Sequence, residues 1–118
     1  KMKISYWVIE NPKENVCIIL KQSFNGASFV NFVSELESII KNIVLAVVFE
    51  NQFKALLRLD NDTKIYIIKE TLSEEFFRGR RFSALFFQRG IDDHNLCIAA
   101  SCLDPIKGYM VQEFILKE

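Results

Sequence analysis

The sequence predicts an α+β domain. The expected architecture is a strongly twisted, mostly antiparallel sheet of about seven to eight strands wrapped around one long helix. The element order reads β-β-α-β-β-β-(short α)-β-β-β. Three observations predict it. Short apolar runs, many of them alternating, recur between turns rich in Asn, Asp and Gly, and one stretch carries helical spacing. One helix cannot cover so many strands unless the sheet curls around it. A length of 118 residues suits a single domain over 1–118, and four Gly and two Pro leave few natural breaks.

The first element is "KISYWVIE" (3–10), read as a strand with Ile4, Tyr6 and Val8 on one face. "NPKEN" (11–15) is a turn, and "VCIILKQ" (16–22) is the hairpin partner. "NGAS" (25–28) breaks the pattern, with Ser28 as N-cap of a long helix. Phe29, Phe32, Val33, Leu36, Ile39, Ile40 and Ile43 form its apolar stripe. "VLAVVFE" (44–50), "FKALLRL" (53–59) and "KIYIIKE" (64–70) are strands of a meander, joined by "NQ" and "DNDT". Residues 71–81 read as a helix of one or two turns or a structured loop, with Glu74 and Glu75 near its start and Gly79 as its stop. "FSALFFQ" (82–88) is a strand, "RGIDDHN" (89–95) a polar loop and "LCIAASC" (96–102) its hairpin partner. "LDPIKG" turns the chain into a closing strand, "YMVQEFIL" (109–116).

Fifteen Lys plus Arg balance fifteen Asp plus Glu, so no whole-molecule field favours a nucleic acid. The longest apolar run, Ile43 to Phe49, is far short of a membrane span. Met2 reads as the natural start, and the polar residues that follow it do not read as a signal peptide. Cys17, Cys97 and Cys102 lie among apolar residues, which suits free, buried thiols in a reducing cytoplasm.

"EEFFRGRRFSALFF" (74–87) interleaves bases and aromatics. Against the RNA-recognition strand pattern it matches at Arg78, Gly79 and Phe82. It sets Arg80 and Leu85 where stacking rings belong. A solvated cluster of Arg78, Arg80 and Arg81 beside a Phe core is the favoured reading, able to hold a phosphate or an acidic loop. Five positions between Cys97 and Cys102 argue against a zinc site with His94. Asp92, Asp93 and His94 offer the raw material of a general base, but adjacent loop residues rarely converge on one target. "DNDTKI" (60–65) has Lys64 and Ile65 where a calcium loop needs a ligand and glycine. No phosphate-cradling glycine loop stands out, and no cofactor or metal is implied. The sheet face away from the helix is expected to carry Trp7, Leu56, Tyr66 and Ile68 as a rimmed interaction patch.

In overall plan the chain resembles the small immunity proteins with which bacteria neutralise toxin domains. The features are the start "MKISYWVIE", the Phe/Ile-rich meander from Val44 to Glu70 around one helix, and the lack of a catalytic set. The resemblance implies a cytoplasmic protein that occludes a toxin's active site, with Glu74, Glu75, Asp92, Asp93 and Asp104 meeting basic groups. The first alternative is a homodimeric α+β roll, ligand-binding or enzymatic, with His94 at a pocket mouth. The second is an RNA-binding module using Arg78, Arg80 and Arg81. The expected partner is therefore a protein, with a homodimer left open, nucleic acid disfavoured and no membrane.

Overall fold

The computed structural model describes residues 3–23, 26–106 and 108–113. Its centre is β1 (Asn15–Leu20), where Val16, Cys17, Ile18, Ile19 and Leu20 are all without solvent exposure. A strand apolar on both faces needs a layer on each face and a neighbour on each side. β1 pairs in parallel with β4 (Lys64–Lys69) and with β5 (Ala84–Gln88). β2 (Val44–Asn51) and β3 (Lys54–Leu59) form an antiparallel meander with β4. β6 (Tyr109–Glu113) pairs in parallel with β5, giving the order β2-β3-β4-β1-β5-β6.

Alternation along the strands sorts the apolar side chains into two cores. Val16, Ile18 and Leu20, with Ile65, Ile67, Ala84 and Phe86, pack under α1 (Lys3–Glu10) and α2 (Gly26–Ile39). Cys17, Ile19, Ile68 and Leu85 pack under α3 (Ser73–Phe77) and α4 (Asp93–Ala100), which supply Phe76, Phe77 and Ala99. The layers are helix, sheet, helix.

This corrects the expected architecture. Among the described residues the sheet has six strands, is mixed rather than mostly antiparallel, and is covered by four α-helices instead of wrapping around one. Two expected strands are helices. In residues 3–10, Ile4 and Val8 are four apart, a spacing that serves a strand face and a helix face equally. The helix buries both and leaves Tyr6 and Ile9 outside. Its final carbonyls are met by side-chain amides, Asn11 on Trp7 O at 2.8 Å and Asn61 on Val8 O at 2.9 Å. Residues 96–102 were expected to pair with β5, but α4 runs through most of them. Asp92 caps it, its carboxylate accepting the His94 N–H at 2.9 Å. With those two runs helical, β1 has no hairpin partner and recruits distant strands instead.

The rest follows the expectations more closely. The meander forms, and Asp62 takes a positive φ of 67° in its second turn. α2 buries Phe29, Phe32, Val33, Leu36 and Ile40, but starts at Gly26, so Ser28 lies inside its first turn. A 3-10 turn at Glu70–Leu72 leads into α3, and Gly79, at φ 74°, follows it. The closing strand begins at Tyr109 as expected, and residues 114–116 of the expected strand lie outside those described.

Phe32→Ala, which empties a fully buried α2 position, is expected to lower the free energy of unfolding by about 3–5 kcal/mol in a urea titration.

Candidate functional site

β1 continues into α2 on one face, whereas β4 and β5 continue into α3 and α4 on the other. The strand order reverses at β1, and the carboxyl ends of strands around such a reversal form the crevice where open α/β sheets hold ligands. Here those ends bring together Lys21 and Gln22 after β1, Lys69 and Glu70 at the end of β4, and Gln88 at the end of β5.

Side chains of the crevice engage several of its own polar groups. Glu70, 7% exposed, accepts the Gln22 backbone N–H on one carboxylate oxygen at 3.1 Å. Its other oxygen accepts the Asp92 N–H at 3.1 Å and the Asn95 amide at 2.9 Å. The Glu70 carbonyl accepts the Ser73 hydroxyl at 2.7 Å. Gln88, also buried, accepts the Lys21 N–H at 2.9 Å. Gly90 follows at φ 91°. A Cβ there would only touch the flexible end of the Lys21 side chain, so it is the backbone conformation that favours glycine. Lys69 is buried with its ammonium 5.3 Å from the centroid of Phe53, and burial lowers its pKa from the ordinary lysine value.

A strand, a loop and a helix N-terminus in this position are what a phosphate-binding loop uses. Set on the pattern G-x-x-x-x-G-K-[ST], residues 21–28 match only at Gly26 and Ser28; Lys21 stands at the first glycine and Ala27 at the lysine. Two backbone N–H groups at the head of this segment are already taken by Gln88 and Glu70. A diphosphate brought here would meet the Glu70 carboxylate and Ala27 in place of the motif's lysine, so the residues present do not fit the pattern. The motif is not recognisable here because its first glycine and its lysine are missing. The surviving signal was "GAS" at a junction between an apolar run and a helix stripe.

The residues singled out from the sequence fall in different places. Trp7 packs against the α1/α2 core, edge-on to Phe86 at 6.4 Å. Leu56 and Tyr66 are cross-strand neighbours on the opposite face, and Ile68 is fully buried there. The expected patch therefore does not assemble: Trp7 is on the wrong face, and α3 and α4 cover Ile68. Glu74, Glu75, Arg78, Arg80, Arg81, Asp92, Asp93 and His94 are all exposed around α3 and the start of α4. His94 Nε2 lies 3.3 Å from Glu74. Arg80 lies over aromatics, 4.4 Å from the Phe76 centroid and 5.3 Å from Tyr66. The Arg81 guanidinium donates to Leu103 O at 3.3 Å. Asp104 shapes the following turn, its carboxylate accepting the Ile106 N–H.

Catalytic and metal alternatives do not gather around these groups. Asp92 is engaged by its helix cap. Ser101 donates to Ile98 O at 2.6 Å, and Ser83 to Glu14 at 2.5 Å. Two surface grooves are lined by Lys54, Leu72, Glu75, Phe76 and Arg80, and by Leu45, Arg58, Leu59, Asp62, Thr63 and Lys64; His94 borders neither. Among the described residues no three His, Cys, Asp or Glu side chains form a metal-binding group. The three thiols are free, but Cys97 is exposed on α4 and Cys102, just after it, is half-buried, its thiol donating to Phe77 O at 3.1 Å. Cys17 is enclosed, and burial holds its thiol well above the ordinary pKa, with Arg80 opposing. Among the described residues no helix is long and apolar enough to cross a membrane.

No protein-family profile matches the chain, and no curated protein is significantly similar in sequence. Its fold is found in solved structures. The large terminase of a thermophilic bacteriophage superimposes with a TM-score of 0.64 at 11% identity, over 92% of this chain and 27% of the terminase. The same terminase in complex with ADP gives 0.64 at 12% identity, over 92% and 28%. The chain thus spans about a quarter of the length of these neighbours, which are large terminases and not toxin-immunity proteins.

Glu70→Ala leaves three donors without their acceptor and is expected to cost about 1–3 kcal/mol of stability in chemical denaturation. A thiol reagent applied to the native protein near neutral pH is expected to label Cys97 and spare Cys17, which reacts once denaturant is added. Equal native rates at the two would contradict the placement of β1.

Proposed function

We propose that this chain is a non-catalytic, protein-binding domain built on the framework of a nucleotide-binding fold, acting as a subunit or segment of a terminase-type assembly. The observation that carries the reading is Glu70. Its carboxylate accepts the Gln22 N–H, a backbone donor of the segment between β1 and α2 where a phosphate loop would hold its ligand, and ties that segment to the Asp92 N–H at the start of α4. Ala27 in the lysine position points the same way. The framework itself is the one shared with the bacteriophage large terminase, a protein whose structure has been solved with ADP.

With these donors engaged, the proposed binding rests on surface chemistry. Arg80 is the best-prepared group on it. Stacking on Phe76 and Tyr66 restricts the guanidinium, so less freedom is lost when it takes a carboxylate in a two-pronged hydrogen bond. Arg78 and Arg81 extend the cationic strip, and Glu74 and Glu75 bound it, a mixed pattern that discriminates between partners by charge. The expectation of a toxin inhibitor finds no separate support in this arrangement and is not carried further.

Titration calorimetry with magnesium-ADP and magnesium-ATP is the direct test. The expected outcome is no saturable heat up to millimolar nucleotide and no phosphate release. A Kd tighter than about 1 mM, roughly −4 kcal/mol, that is lost in Lys21→Ala would overturn the reading. In affinity capture, Arg80→Ala is expected to weaken retention of the bound protein at least tenfold, about 1.4 kcal/mol, with Arg80→Lys intermediate.

A further inference from the structure

β2 is one edge of the sheet, and β3 is its neighbour on the inner side. It is the longest strand described, eight residues from Val44 to Asn51, and Glu50 is its one charged side chain. Leu45 is 70% exposed, Val48 46% and Phe49 45%. Its outer row of backbone N–H and C=O groups faces away from β3. Edge strands are ordinarily blunted by lysine, proline or a central bulge. β2 has no Lys or Pro, and its irregularities fall near its ends, between Val44 and Ala46 and between Phe49 and Asn51. The regular stretch, residues 46–49, is entirely apolar.

We infer that β2 pairs antiparallel with β2 of a second copy of this chain, making one continuous sheet across a two-fold axis. A backbone edge with open hydrogen-bonding groups is matched by another strand, because side chains cannot supply so regular a row of donors and acceptors. Charge and register argue for an identical strand. Antiparallel partners must point to the same face, so the pairing centres on a residue. Centred on Val47 it sets Val47 against Val47, Ala46 against Val48 and Glu50 against Val44. Centred on Val48 it sets Glu50 against Ala46. Neither register places Glu50 against its own copy, so no like charges meet across the seam. The chain has zero formal net charge, which removes long-range repulsion between copies. The contact uses the same surface on both molecules and therefore closes as a dimer rather than growing into a filament.

Sedimentation velocity of the full chain over a wide concentration range tests this. The expected result is a species of twice the 13.7 kDa chain mass. Val48→Lys sets an ammonium in the seam of both copies and is expected to weaken self-association at least a hundredfold. Ile106→Lys, at a 95% exposed residue outside β2, should leave it unchanged. Val48 is itself largely exposed, so the variant should retain its far-ultraviolet spectrum and melting point at dilution. Amide exchange supplies a second readout, with the β2 amides that face away from β3 protected in the wild type and unprotected in Val48→Lys. A chain that stays monomeric throughout overturns the inference. So does a dimer that survives Val48→Lys, and so does an assembly that grows without closing.

Discussion

Everything in this fold answers to the burial of β1 on both faces. Five consecutive apolar residues without solvent exposure can be satisfied only in the middle of a sheet between two helical layers. That constraint makes the strand parallel to its neighbours, because the chain must leave it through a helix before returning. It sends α2 to one side and α3 and α4 to the other. The same division opens the crevice at the carboxyl ends of the strands, so the candidate site is a by-product of how the central strand is covered.

What fills that crevice is unusual for its position. An open crevice of this type exposes backbone donors to a ligand; here Glu70 and Gln88 satisfy them internally. The Glu70 carboxylate bridges the segment after β1 to the start of α4, tying together the two faces that the crevice separates. A group that anchors both sides stiffens the region a ligand-driven motion would use.

The sequence was legible where one period dominated. The α2 stripe and the β2–β4 meander repeat cleanly, and each formed close to its expected bounds. It failed where runs were short and apolar. Ile4 and Val8 fit two periods at once, and the apolar run from Leu96 to Ala100 carries no alternation that separates strand from helix. The signal that decides the second case is Asp92, whose capping role was hidden inside what read as a polar loop. Of the site, the exposed charges around α3 were visible from composition alone. Glu70 was not, because a glutamate at a strand end looks like a solvent residue until the segment after β1 and the cap of α4 are folded against it.

The pairing of β1 has a consequence for how the molecule comes into being. Ile18 lies early in the chain, yet its partners are Ile67 and Phe86. As the polypeptide emerges from the ribosome, this strand precedes both of its neighbours and waits for them to be synthesised. The β2–β4 meander, whose contacts are local, has everything it needs much sooner. Until β5 emerges, the nascent chain therefore carries an unsheltered run of Val, Cys, Ile, Ile and Leu. During that interval the exposed apolar run favours association with other chains.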